Sequence, residues 1–149
     1  MNILSSIAGG LAGAVAVTLL NEVLKKYDPE APRLDRLGMN ALSKGLKKTD
    51  HAVPDQDKLY NYSLLGDLLT NTLYFSFAGK GSQRKSLFRG GLLGLSSGMG
   101  AVFAPGYLNL NDDATNKTTK TQLMTVGYYL LGGMVAGAVG KLVEKKLRH

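Results

Sequence analysis

The chain has 149 residues, with 18 Lys and Arg against 11 Asp and Glu, and no cysteine. The missing cysteine excludes disulfides, thiolate metal sites and a cysteine nucleophile, and the length suits a single domain spanning residues 1–149. A net charge of +7 spread over a soluble domain would point to nucleic acid. Here the charge is confined to short stretches between apolar segments, so nucleic acid is not an expected partner.

A mean hydropathy of −0.02 hides this segregation. Residues 1–21, 90–111 and 121–140 carry no charged side chain, and residues 59–79 carry only Asp67. A helix needs about 20 apolar residues to cross a hydrocarbon core of about 30 Å. A soluble amphipathic helix, by contrast, shows a charged residue every turn or two on its wet face, and residues 3–20 and 126–140 have no such face. The expected fold class is therefore all-α: an integral membrane four-helix bundle in contact with the lipid bilayer, with spans at about 3–24, 59–78, 87–108 and 121–143.

The first span lacks a basic stretch before its apolar run, and that run is long for a signal peptide, so it reads as a retained helix. It ends in Asn21, Glu22, Lys25 and Lys26, where Glu22 can pair with either lysine at the interface. Tyr27-Asp28-Pro29 then breaks the helix. Within the connecting segment 28–58, Pro32 suits the first turn of a short helix. Leu34, Leu37, Ala41 and Leu42 fall near one face and Arg33, Asp35, Arg36 and Lys44 elsewhere, which makes this an amphipathic helix lying on the membrane surface or on the protein. Residues 49–57 are a polar linker. After the second span, Gly79-Lys80-Gly81-Ser82 makes a tight basic turn. Pro105-Gly106 is expected to end or kink the third span. Residues 109–120 form a polar loop in which Asn116-Lys117-Thr118 matches a glycosylation sequon. The fourth span ends in a basic tail.

The turn at 80–89 has four basic residues and no acid, and the tail from Lys141 has four basic residues and one acid. The longer 25–58 connection has eight basic residues mixed with six acids. Short loops weigh most in setting orientation. Both termini and the basic turn are therefore expected on the cytoplasmic side of a bacterial inner membrane.

Nineteen glycines are present, many of them at helical spacing within the spans. Ala8, Ala12 and Ala16 lie four apart with Gly9 and Gly13 beside them. Gly90, Gly94 and Gly98 form a row, as do Gly132, Ala136 and Gly140, flanked by Gly133 and Gly137. Residues four apart share a helix face, and small residues let helix backbones approach closely where no hydrophobic drive brings them together. Such small-xxx-small rows serve packing, either within one bundle or against a second copy or another membrane protein.

The second span carries a polar stripe of Ser63, Asp67 and Asn71, with Thr70 alongside and Tyr60 and Tyr74 extending it. An ionised carboxylate near the bilayer centre costs about 2.5–3.5 kcal/mol on insertion scales, so Asp67 must turn away from lipid. The stripe reads either as a site for a proton, cation or polar ligand, or as a hydrogen-bonded clamp to Tyr128, Tyr129, Thr125 or Ser97. His51 and His149 are the only histidines and have no metal-ligand spacing. No nucleotide loop or catalytic constellation is present, and no cofactor is implied. The whole reads as a non-catalytic polytopic membrane protein, a packing or accessory subunit that assembles with itself or with a larger membrane complex. The alternative is a small channel or proton- or cation-linked carrier using Asp67.

Overall fold

A computed structural model describes residues 2–149. Those residues form helices and connections only. In chain order they are α1 (Ile3–Leu24), α2 (Leu34–Lys48), α3 (Gln56–Phe75), a 3-10 turn (Ser76–Gly79), α4 (Gln83–Tyr107), α5 (Asp113–Asn116) and α6 (Thr119–Leu147).

Side-chain caps set the helix starts. Asn2, Asp55 and Ser82 accept from backbone N–H groups in the first turns of α1, α3 and α4. Thr118 and Thr121 form a reciprocal capping box on α6. Each satisfies donors that a helix leaves orphaned. These caps explain why α3, α4 and α6 begin before the apolar windows do: the first turns of α3 and α4, and the last turn of α6, are polar. α4 also runs through Pro105 to Tyr107 instead of stopping at it. Pro32 precedes α2 rather than opening it, since the helix begins at Leu34.

Three helices, α1, α4 and α6, are long and apolar enough to cross a membrane. α3 has the length but not the same mean hydropathy, so three of the four expected spans are shown by composition. Ser63, Asp67, Thr70, Asn71 and Thr72 lower the hydropathy of a helix that still has the needed length. The contacts are also less even than a bundle closed around one axis would give. α6 packs along both α4 and α1, and α1 packs along α3, while α3 touches α4 and α6 only sparsely. All these long pairings are antiparallel: Gly9 and Gly13 of α1 meet Gly140 and Gly132 of α6, and Gly90 and Gly98 of α4 meet Gly133 and Val126. One end of the molecule therefore gathers the start of α1, the 3-10 turn, the start of α4 and the end of α6. The other gathers α2, α5 and the remaining ends.

Ser86 joins three of these pieces. It is fully buried, and its hydroxyl lies 3.1 Å from the Ala78 carbonyl of the 3-10 turn and 2.8 Å from the Gly137 carbonyl of α6. Ser86→Ala removes the donor and leaves both oxygens in an apolar contact. Thermal unfolding in detergent should show a loss of about 1 kcal/mol.

Candidate functional site

Ser63, Asp67 and Asn71 line one cavity of ≈ 20 Å³, shared with Asn21 of α1, Asp35 of α2 and Tyr129 of α6. That volume suits a single water molecule or an ion of similar size. Ser63 is buried, and its hydroxyl donates to the Tyr60 carbonyl at 3.0 Å. α2 lies over the stripe at Gly38, where an added Cβ would stand 2.9 Å from Asp67 Oδ2 and 3.5 Å from Ser63 Cβ. Glycine at 38 is what lets the helix settle onto the carboxylate. Asp67 has no hydrogen bond or ion pair to any described residue.

The clamp expected from sequence is not formed. Thr125 donates to the Thr121 carbonyl and Ser97 to the Gly94 carbonyl, each within its own helix. The Tyr128 hydroxyl is buried without a hydrogen-bond partner among the described residues. The outer members of the stripe diverge as well. Tyr60 lines the cavity, Tyr74 instead packs on Phe75 with ring centroids 5.6 Å apart, and Thr70 is exposed.

Above the cavity a network of charged and amide groups joins α1, α2 and α3. Asn21 is buried; its Oδ1 accepts from the Leu34 N–H at 2.9 Å and its Nδ2 donates to Asp35 at 3.4 Å. Arg33 grips both oxygens of Asp35, through Nε at 3.1 Å and Nη2 at 2.8 Å. Lys25 bridges Glu22 at 2.8 Å and Asp35 at 3.4 Å, with its ammonium 5.5 Å from the Tyr60 ring centroid. Burial pushes the Asp35 carboxyl up, but the hydrogen bonds and charge of Arg33, the charge of Lys25 and the Asn21 amide bring it down to about 2. The Glu22–Lys25 pair thus forms as the spacing suggests, while Asn21 turns inward. From sequence, Asp35 falls on the polar face of α2 and Tyr129 is one of four possible clamp partners, which here lines the cavity with Asp67; Gly38 carries no such expectation. The local signals were an acid in the first turn of a helix and an isolated glycine on the same helix as Leu34 and Leu37.

The small residues named from sequence lie within the chain. A Cβ on Gly9, Gly13, Gly90, Gly94, Gly98, Gly132, Gly133 or Gly137 would come within 3.0 Å of an atom on a neighbouring helix, and one on Gly140 would meet Ser5 O at 3.3 Å. Ala136 is buried in the core, and Ala8, Ala12 and Ala16 are half-buried beside the contact. Gly10, which was not singled out, brings α1 against the Thr72 carbonyl of α3 just as closely.

Comparison with protein-family models, curated proteins and solved structures finds no match for this chain. The class it can be assigned to rests on its own architecture: an all-helical chain with three helices able to cross a membrane, consistent with a multi-pass membrane protein. No group of three or more His, Asp or Glu side chains gathers among the described residues in a way that could hold a metal ion.

Proposed function

We propose that this chain is a non-catalytic membrane protein in which α3 crosses the bilayer together with α1, α4 and α6, and that it takes up a proton or a small cation at Asp67. The observation that carries this reading is the half-buried carboxylate of Asp67, without a hydrogen-bond partner among the described residues, lining a one-water cavity under α2. An intramembrane acid is expensive to keep and is found where protons or ions are handled. Ser63 and Asn71 supply further oxygens toward the same space, as a cation stripped of its hydration requires. α3 runs antiparallel to α1 and turns its polar stripe toward α2, which makes a fourth crossing compatible with its lower hydropathy. The concentration of Lys and Arg at residues 80–89 and 141–148, at one end of the molecule, supports placing both termini on the cytoplasmic side of a bacterial inner membrane.

The test is reconstitution into liposomes loaded with a pH-sensitive dye, under an imposed potential. Wild-type protein should carry protons or monovalent cations across, and Asp67→Asn should abolish the flux while keeping the same melting temperature. Flux indistinguishable between the two, or no flux above empty liposomes, rejects the proposal.

A second reading, as an accessory subunit, has its own observation. Ser96, Gly100 and Ala104 lie four apart on α4 and are all exposed, a small-residue row that no helix of this chain occupies. Native mass spectrometry supports that reading if a discrete oligomer or a membrane partner is lost on Gly100→Leu.

A further inference from the structure

Asp35 lines the Asp67 cavity, but its partners Lys25 and Arg33 line a second, open basin of ≈ 580 Å³ between the α1–α2 connection and the α4–α6 connection. The walls of this basin are pinned to one another. The Arg33 N–H donates to the Ala114 carbonyl at 2.8 Å, and the Thr121 hydroxyl donates to the Glu30 carbonyl at 2.6 Å. Thr115 anchors the far loop to the Ala101 carbonyl at 2.8 Å, and Asn116 bonds the Val102 carbonyl. A basin so held needs little ordering to receive a ligand.

Four cations and two carboxylates line it. Lys25 and Arg33 are engaged by Glu22 and Asp35, and Asp28 is engaged by Lys120 at 2.6 Å. What remains is Arg36 and Lys117, neither of them in an ion pair among the described residues, together with the Asn40 amide, against the single carboxylate of Asp113. The basin sits where α1 and α4 end and α6 begins, at the boundary of the apolar segments and near the exposed rings of Tyr27 and Tyr107. Aromatic rings and basic side chains at that depth meet the headgroup layer.

We propose that this basin binds a phosphate-bearing anion, held between Arg36 and Lys117 with Asn40 as a further donor. Arg36 offers a planar fork that matches two phosphate oxygens, and Lys117 a point charge on the opposite loop. The same chemistry is presented by the headgroup of an anionic phospholipid and by a soluble phosphate compound.

The test uses full-length protein in a neutral detergent and native mass spectrometry, titrating dihexanoyl-phosphatidylglycerol, dihexanoyl-phosphatidylcholine and inorganic phosphate. One phosphatidylglycerol per chain, not displaced by millimolar phosphate, identifies a lipid headgroup site. Saturable binding of phosphate, or displacement of the lipid by it, identifies a soluble anion. In either case the Arg36→Ala/Lys117→Ala double variant should weaken binding about thirtyfold, and Arg36→Lys/Lys117→Arg should retain most of it. Both side chains are free of internal bonds, so the double variant should melt with wild type. Asn40→Glu, which places a carboxylate in the basin, should also abolish binding. Asp67→Asn should leave binding unchanged, which separates this proposal from the one above. The proposal is overturned if no probe binds saturably, if phosphatidylcholine binds equally well, or if the double variant binds like wild type while Lys80→Ala/Arg84→Ala at the other end does not.

Discussion

Gly133→Ala should be among the most damaging single substitutions in this chain, although it adds one methyl group to a helix. The α4–α6 crossing is built on Gly90 and Gly133, and a Cβ on either would fall within 3.0 Å of the other's carbonyl oxygen. Both obstacles are backbone, so no rotamer change relieves them and the helices must part. Parting them also opens the contacts at Gly94 and Gly137 on the same seam. Overpacking of this kind costs about 1–3 kcal/mol and sometimes more, set against a gain of about 1 kcal/mol from replacing a helical glycine. Because both obstacles are backbone, the upper end of that cost applies, and a net loss of about 2 kcal/mol should appear in thermal unfolding. The control is the same substitution at Gly66, Gly100 or Gly127, where an added Cβ meets nothing within 4 Å. There the propensity gain stands alone, and stability should hold or rise. Equal effects at Gly133 and Gly100 would mean that the α4–α6 contact is not as close as described.

Asp35→Ala is the second large effect, and it links the two cavities. It removes the acceptor for Arg33, Lys25 and the Asn21 amide together, and leaves Lys25, whose side chain is 14 % exposed, with Glu22 alone. Breaking such a buried pair by deleting one member costs about 3–5 kcal/mol. The lower end is expected here, because Arg33 can turn to water. The loss should first free the start of α2, which Asn21 and Asp35 hold to α1, so that Asp67 beneath Gly38 becomes reachable. Mass mapping after treatment with a water-soluble carbodiimide should then show faster labelling of Asp67 in Asp35→Ala than in wild type. Unchanged labelling would mean that α2 does not shield the site.

The same carboxylate predicts a pH response. In the folded chain it is held at about 2, below its ordinary 3.8, so its contribution is fully present above about pH 4 and is lost as pH falls from there toward 2. The size is about 2 kcal/mol. Wild type should therefore lose stability across that window more steeply than Asp35→Asn, which has no carboxylate to protonate. Parallel pH profiles for the two would remove Asp35 as the cause.

Several features were already legible in the sequence because they depend on neighbours one turn away. The charge-free run of residues 3–20 makes α1 a helix with no wet face, and the charged residues and Pro29 that follow it place its end near Leu24. The four-residue spacing puts Ser63, Asp67 and Asn71 on one face of α3 and the glycines into rows, because i and i+4 share a helix face by geometry alone. The helix caps at Asp55, Ser82 and Thr118 are equally local, although from sequence these residues read as parts of a linker, a turn and a loop.

What packs against those faces is another matter, since it rests on contacts between residues far apart in the chain. Asp35 looked like a residue for the wet side of α2, and only the arrival of Asn21 and Lys25 from α1 makes its burial bearable. Thr70 looked like part of the polar stripe and faces outward, because α2 covers the other side of α3 at Gly38. Spacing alone leaves open whether glycine rows serve one chain or two; in the folded chain Gly9 and Gly13 meet α6, Gly10 meets α3 and Gly90 meets Gly133. Periodicity determined which residues share a face. Tertiary structure decided which faces touch, because the depth to which one helix sinks into another depends on both surfaces at once.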